Sequence, residues 1–120
     1  MKKIIGIIGS RHRTTKIDFD TVEKKFLEIY NDGDWICSGG CPTGGDQFAH
    51  ALHVKYETPY LEFPARWNRY GKSAGYKRNG DIANASNVLI ACVSIERIGG
   101  TEDTIKKFLK TNEESKLYIV

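Results

Sequence analysis

Short apolar runs alternate with segments of helical periodicity along the chain. The apolar runs are rich in isoleucine, valine and leucine, as is typical of strands buried on both faces of a sheet. The segments between them place apolar side chains three and four positions apart, as amphipathic helices do. Predicted strands cover residues 3–8, 34–37, 60–63, 87–93 and 116–120. Predicted helices cover residues 18–30, 45–56 and 101–110, and residues 70–85 are predicted as a loop followed by a helix.

This alternation predicts a single α/β domain over residues 1–120, with a Rossmann-like, doubly wound parallel sheet of about five strands. Helices of this length connect parallel strands by right-handed crossovers, so they cover both faces of the sheet and give three α/β/α layers. In such a sheet a ligand binds beyond the carboxyl ends of the strands, near the point where the strand order reverses. The strand exits are therefore where functional residues are expected.

The first predicted helix has clear candidates for its ends. Asp18 or Asp20 is the expected N-cap, because a carboxylate oxygen can accept a hydrogen bond from the free amides of the first turn. Asp32 and Gly33 are expected to close the helix. Its apolar stripe is predicted to consist of Val22, Phe26, Leu27, Ile29 and Tyr30.

Composition places the chain among ordinary globular proteins, with 40% hydrophobic and 28% charged residues in a length of 120. Its net charge of +3 is too mild to indicate nucleic-acid binding by itself. No apolar stretch is long enough to cross a bilayer, so no membrane partner is expected. Cys37, Cys41 and Cys92 have no disulfide-framework spacing, which favours a cytoplasmic location, and Cys37 and Cys92 lie in apolar runs expected to be core.

Glycine-rich segments follow the predicted strands. Glycine lets a backbone amide approach a ligand without a side chain in the way, and the N-terminus of a following helix adds free amides and a partial positive charge. Both features favour a bound phosphate at the edge of the sheet. The informative exits are Gly9-Ser10-Arg11, residues 38–46 (SGGCPTGGD), Pro64-Ala65-Arg66-Trp67 and Gly99-Gly100-Thr101.

Two common nucleotide-binding fingerprints do not occur in the sequence. The first strand is not followed by Gly-x-Gly-x-x-Gly, and there is no Gly-x-x-x-x-Gly-Lys-Ser/Thr. A conventional NAD dehydrogenase and a P-loop NTPase are therefore disfavoured. No cofactor is expected to be required, and no metal is expected because His12, His50 and His53 lack metal-site spacing.

The order of these segments resembles the YspA/YpsA-related branch of the SLOG superfamily. That Rossmann-like group also includes the Lonely Guy phosphoribohydrolases, the Smf/DprA proteins and molybdenum-cofactor carrier proteins. The resemblance implies a Rossmann-like fold and a nucleotide-derived ligand. It rests on Gly9-Ser10-Arg11, Ser38-Gly39-Gly40 with Gly45-Asp46, Pro64-Ala65-Arg66-Trp67, Gly71-Lys72-Ser73-Ala74-Gly75-Tyr76-Lys77-Arg78-Asn79 and Gly100-Thr101.

Each candidate ligand residue also has a structural interpretation. Arg11 and Arg78 offer planar guanidinium donors for phosphate or ribose oxygens, but either could form an ion pair with Asp46 or Asp81. Asp46 could bind ribose or stabilise a helix N-terminus, and Asn79 could contact a base or satisfy a backbone group. Trp67, Tyr70 and Tyr76 could stack on a base or pack in the core. The predicted ligand-binding set is Gly9, Ser10, Arg11, Ser38, Gly39, Gly40, Gly45, Asp46, Trp67, Arg78, Asn79, Gly99, Gly100 and Thr101.

Catalysis is a separate question. In the Lonely Guy enzymes an arginine and a glutamate of a glycine-rich segment cleave the base from a nucleoside monophosphate, and Arg78 resembles that arginine. The position of the glutamate is Thr104 here, and Glu102 lies on a different face of the helix. The catalytic candidates are therefore Asp46, Arg78 and Glu102, without an assigned reaction.

Three functional hypotheses follow. The first is binding or sensing of a nucleotide or nucleotide-derived phosphate ligand, of which NAD and ADP-ribose derivatives are examples. The second is a nucleotide N-glycoside hydrolase. The third, less favoured, is single-stranded nucleic-acid binding by the basic and aromatic segment 66–78. Relatives in the superfamily commonly pair, so the resemblance is compatible with a homodimer, while the oligomeric state, the ligand and the pathway are left open.

Overall fold

The computed structural model describes residues 2–41 and 44–120. Pro42 and Thr43, in the predicted exit of the second strand, lie outside the described residues. The strands are β1 (Ile4–Gly9), β2 (Trp35–Ser38), β3 (Tyr60–Glu62), β4 (Val88–Cys92) and β5 (Leu117–Ile119). The α-helices are α1 (Lys16–Ile29), α2 (Gly45–Tyr56), α3 (Trp67–Tyr70), α4 (Ala74–Ala85) and α5 (Gly100–Leu109), and short 3₁₀ turns cover Gly71–Ser73 and Glu114–Lys116.

In the described part of the chain, the five strands form one parallel sheet in the order β3-β2-β1-β4-β5. The chain builds outward from β1 to β3, returns to the other side of β1, and continues through β4 to β5. The strand order therefore reverses between β1 and β4, where the register pairs Gly9 with Cys92. The predicted doubly wound α/β fold is confirmed.

Two apolar layers cover the two faces of the sheet. On one face, Phe26 of α1 and Leu52 of α2 pack with Ile5 and Ile7 of β1. On the other face, α4 and α5 contribute Ile82 and Phe108, which pack with Ile8 of β1. Alternate residues of β1 thus enter opposite layers, as the pleat of a strand requires, and α1 and α2 lie opposite α4 and α5.

The first helix differs from its prediction at both ends. Thr15, not Asp18 or Asp20, is the N-cap: its hydroxyl accepts from the Asp18 amide, and the Asp18 carboxylate accepts from the Thr15 amide. Asp18 therefore takes the third helical position of a capping box, which begins the helix two residues earlier than predicted. The helix ends at Ile29 rather than at Asp32-Gly33, and Leu27 of the predicted apolar stripe is 51% exposed.

Several smaller expectations are resolved by the structure. Residues 45–56 form a helix as predicted, and Cys37 and Cys92 are buried in the core. The predicted loop before the fourth helix contains the 3₁₀ turn Gly71–Ser73, and the short helix α3, which was not predicted, precedes it. In the parts of the chain that the structure covers, no helix has both the length and the apolar character needed to cross a membrane.

Candidate functional site

A cavity of about 570 Å³, here called the site cavity, lies at the carboxyl ends of β1 and β4. Gly9 and Ser10 reach it from the exit of β1, and Ser94 reaches it from the exit of β4. These are the two strands between which the sheet order reverses, so the cavity occupies the position where doubly wound sheets bind ligands.

Much of the predicted ligand-binding set meets in this one cavity. The predicted residues that line it come from four separate regions of the sequence: the exit of β1, the start of α2, the middle of α4 and the start of α5. Only the parallel sheet brings them together, because they lie far apart along the chain. Thr101, for example, comes 92 positions after Gly9. The predicted residues that line the cavity are Gly9, Ser10, Arg11, Asp46, Arg78, Asn79, Gly99, Gly100 and Thr101.

The other predicted residues lie behind or beside the cavity. Ser38 is buried and donates to the Asp46 carboxylate, and the Gly39 carbonyl accepts from Arg78. Gly40 faces the Glu62 side chain. Trp67 lies on α3 with 58% of its surface exposed, and its ring is near Gly75 rather than at the cavity.

Gly44 and Gly45 are explained by close packing. Gly44 has a positive φ of 73°, and a Cβ there would lie 2.5 Å from the Ser10 carbonyl oxygen. A Cβ on Gly45 would collide with the backbone of Ile8 and Gly9. Both glycines let the N-terminus of α2 cross the end of β1. This close packing explains why glycine occurs at both positions, and no bound ligand is needed to explain it.

The N-terminus of α5 is more open. Gly99 has a φ of 99°, and a Cβ there would meet nothing within 4 Å, whereas the nearest atom to a Cβ on Gly100 would be Asn79 Nδ2 at 3.6 Å. No side chain caps this helix, in contrast to α1 with its Thr15 cap. The first amides of a helix have no carbonyl partner within it, so those of α5 are available to an anion in the cavity.

Arg78 and Asp46 form a second polar group in the cavity, besides the N-terminus of α5. Arg78 Nη1 donates to the Gly39 carbonyl at 3.1 Å and lies 3.8 Å from Asp46 Oδ2. Asp46 also accepts from the Ser38 hydroxyl at 2.6 Å and the Cys41 amide at 3.1 Å. Arg78 Nε is buried and has no hydrogen-bond partner among the described residues. The predicted ion pair is thus present, and it leaves Arg78 with unused donor capacity.

Asn79 serves the structural role that was weighed for it. The residue is 7% exposed, and its Nδ2 donates to the Gly100 carbonyl at 3.3 Å and to the Asp103 carboxylate at 3.1 Å. Both acceptors belong to the first turn of α5. Asn79 therefore fixes the start of α5 relative to α4 and positions its free amides.

Glu102, a candidate catalytic residue, does not line the cavity. Its carboxylate accepts two hydrogen bonds from Arg97, at 2.8 and 3.0 Å. Thr104 of the same helix is buried and lines the cavity, and its hydroxyl donates to the Gly100 carbonyl at 3.0 Å.

Sequence reasoning missed Glu96 and Ile98, which line the cavity from the loop after β4. Their place at a strand exit is the only signal in the sequence, and it is weaker than that of the glycines that follow. Glu96 makes no hydrogen bond or ion pair with any other described residue, so its carboxylate is open to a donor group of a ligand.

Arg13 fixes the loop that carries Ser10 and Arg11. Its guanidinium donates to Asp18 at 2.7 Å and to the carbonyls of Val93 and Val120 at 2.7 and 3.2 Å. Burial by itself would raise the pKa of Asp18, but the hydrogen bonds from Arg13 and Thr15 outweigh it and hold the pKa below its ordinary value. The ion pair joins the β1 exit to α1, and the two carbonyl hydrogen bonds join it to the ends of β4 and β5.

The cavity combines amide donors, guanidinium groups, hydroxyls and one open carboxylate, a set suited to a ligand with both phosphate and hydroxyl groups. Residues 2–41 and 44–120 contain no group of three or more histidine, cysteine, aspartate or glutamate side chains placed to hold a metal ion. Comparison of the chain with protein-family models, curated proteins and solved structures gave no significant match.

Proposed function

We propose that the protein binds a nucleotide or nucleotide-derived phosphate ligand in the site cavity. One observation carries the proposal: the uncapped N-terminus of α5 at Gly99 and Gly100 and the incompletely paired Arg78 guanidinium line the same cavity. An uncapped helix start and a guanidinium group each favour an anion, and together they favour a phosphoryl group between them.

The size of the cavity supports a ligand larger than phosphate alone. Small-molecule sites generally have volumes of roughly 300–1,000 Å³, and the site cavity has about 570 Å³. A bound phosphate at α5 would leave room for a sugar and a base. Ile98 supplies apolar surface for the base, and Glu96 supplies an acceptor for sugar hydroxyls.

The resemblance of the strand-exit segments to the SLOG superfamily supports the same class of ligand. Gly9-Ser10-Arg11 and Gly100-Thr101, which carry part of that resemblance, are among the residues that line the cavity. The resemblance and the cavity geometry are separate arguments, because the geometry does not depend on any relative.

Binding without turnover is favoured over N-glycoside hydrolysis. Glu102 is held by Arg97 outside the cavity, and Asp46 already accepts from Ser38 and Cys41. A carboxylate that activates water must lie within hydrogen-bond reach of the reacting centre. Glu102 does not meet this requirement, and each oxygen of Asp46 is already held by a hydrogen bond.

The test is calorimetric titration of the protein with AMP, GMP, NAD and ADP-ribose. We expect at least one to bind, and we expect Arg11→Ala and Arg78→Ala to weaken it about tenfold, the usual effect of losing a charge-assisted hydrogen bond. Arg11 is exposed and forms no hydrogen bond or ion pair with described residues, so its replacement leaves folding intact.

Arg69→Ala is the matched control, because Arg69 is exposed on α3 and does not line the site cavity. The proposal is overturned if none of the four compounds binds, or if both arginine variants bind as tightly as the unmodified protein. Release of free base during incubation would show that the protein hydrolyses the nucleotide and does not only bind it.

A further inference from the structure

A second cavity, of about 270 Å³, lies between the exit of β3 and the segment from α3 to α4. Pro64 and Arg66 line it from the β3 exit, and Tyr70, Lys77 and Arg78 line it from the helical side. These residues belong to two of the segments that the sequence singled out, yet except for Arg78 they do not reach the site cavity. The second cavity is therefore the place where those segments meet.

Among the three cationic groups of this cavity, Arg78 lies 3.8 Å from Asp46 Oδ2, whereas Arg66 and Lys77 have no ion-pair partner among the described residues. Arg66 makes no side-chain hydrogen bond or ion pair with them, and the Lys77 ammonium lies 4.8 Å from the centroid of the Tyr70 ring. Arg78 contributes the buried Nε that has no described partner. Three cations that line one small cavity repel one another, and a bound anion would offset that repulsion.

Two carboxylates also line the second cavity, and neither pairs with these cations. Glu62 accepts a hydrogen bond from the Tyr60 hydroxyl at 3.3 Å and lies against Gly40. Asp81, one helical turn after Lys77, is not within ion-pair distance of it. The donors of Arg66 and Lys77 thus stay available even though acidic groups are close by.

The volume decides what part of a ligand fits. At about 270 Å³ the second cavity falls below the lower end, roughly 300 Å³, of sites that hold a whole small molecule. It suits one charged group rather than a second nucleotide. Arg78 lines both cavities, so its guanidinium is the point at which a ligand in the site cavity can extend into the second one.

We propose that the second cavity is a binding site for a phosphate-like anion, formed by Arg66, Lys77 and Arg78. The anion is a further phosphate group of the nucleotide in the site cavity or a separate inorganic anion. The first source is favoured by the shared Arg78. The assignment to a further phosphate of the nucleotide rests on the proposed function, which places the rest of the nucleotide in the site cavity. It implies that a nucleoside diphosphate binds more tightly than the monophosphate.

The experiment compares AMP with ADP, GMP with GDP, and inorganic pyrophosphate by calorimetric titration. For the unmodified protein we expect the diphosphate to bind about tenfold more tightly than the monophosphate, as one added charge-assisted contact predicts. The double variant Arg66→Ala with Lys77→Ala should abolish that difference while monophosphate binding stays within twofold. The charge-matched variant Arg69→Ala with Lys72→Ala, whose residues line neither cavity, should retain it.

The outcomes separate the two proposals. Pyrophosphate binding that depends on Arg66 and Lys77, with equal affinity for mono- and diphosphates, supports the anion site and assigns it to a separate anion. Monophosphate binding that needs Arg11 and Arg78, with no ligand sensitive to Arg66 and Lys77, overturns the second site and leaves the proposed function standing. If no nucleotide binds but pyrophosphate binding needs Arg66 and Lys77, the proposed function fails and the anion site stands.

Discussion

Arg97 and Glu102 form a two-point ion pair at the start of α5, with Arg97 Nε 2.8 Å from Glu102 Oε2 and Nη2 3.0 Å from Oε1. Arg97 adopts a left-handed backbone conformation, with a φ of 55°. The pair turns the glutamate toward the loop that precedes Gly99 and away from the site cavity. The carboxylate that remains open inside the cavity is Glu96, from the same loop.

This pairing predicts that Glu102 contributes little to the ligand site. Glu102→Ala should leave nucleotide affinity within twofold and move the urea unfolding midpoint only slightly, because a solvent-exposed ion pair adds little stability. Glu96→Ala is the comparison: its carboxylate lines the cavity, so affinity for a ribonucleotide should fall. Titration of both variants checks this, and a large loss confined to Glu102→Ala would contradict the geometry described here.

Close packing at Gly45 predicts a strong effect of a single methyl group. Gly45→Ala would place Cβ against the backbone of Ile8 and Gly9, where no flexible side chain can move aside. We expect the free energy of unfolding to fall by about 1–3 kcal/mol or more, the usual cost of overpacking. Urea denaturation followed by circular dichroism measures it.

Gly80→Ala is the matched control for Gly45. Gly80 lies inside α4, and a Cβ there would meet only Lys107 Cδ at 4.0 Å. Alanine should therefore raise the free energy of unfolding by about 0.5–1 kcal/mol, because it loses less conformational freedom in a helix than glycine. Equal effects of the two substitutions would refute the packing argument.

The Arg13–Asp18 pair predicts part of the acid sensitivity of the fold. The folded state holds the pKa of Asp18 below its ordinary value, so the stabilisation is present above the unfolded pKa of about 4 and is lost as the pH falls through the folded pKa. Asp18→Asn should flatten the decrease in stability below about pH 4. Urea midpoints across this range test the prediction, with Asp20→Asn, an exposed carboxylate of the same helix, as the control. An unchanged pH profile in Asp18→Asn would contradict it.

Burial predicts that the two core thiols are unreactive in the folded protein. Burial raises the pKa of Cys37 to about 11, and burial also raises that of Cys92. Little thiolate is present at pH 8 under these conditions, and the thiolate is the reactive form. In a Cys41→Ser background, a disulfide reagent should label neither thiol in the native protein and both in urea. Rapid labelling without denaturant would disprove the assignment of both residues to the core.

The amino-acid pattern predicted the elements of the fold more closely than their ends. The run Ile4-Ile5-Gly6-Ile7-Ile8 was predicted as a buried strand and forms β1, and α2 has the limits that were expected. The start of α1 was misplaced because a threonine and an aspartate can both cap a helix, and only the reciprocal bonds between Thr15 and Asp18 distinguish the cap from the third helical position.

The residues that line the site cavity were predicted in part, and the differences have a common physical cause. The positions of Gly9 and Gly99 at strand exits could be inferred from local periodicity. The distance of Trp67 from the site cavity could not, because it follows from β3 being an edge strand two places away from β1. Glu96 escaped notice because an isolated glutamate in a loop carries no local signal.

The chain's own pattern determined a parallel α/β sheet and the glycines at its exits, because strand and helix periodicity and turn chemistry depend on neighbours within a few residues. Only the tertiary structure decided which exits share a cavity. Strand order is set by long-range pairing, and here it places β1 beside β4 so that Ser10 and Gly100 line the same cavity. The same pairing sets the exit of β3 apart, where Arg66 and Lys77 line the second cavity instead.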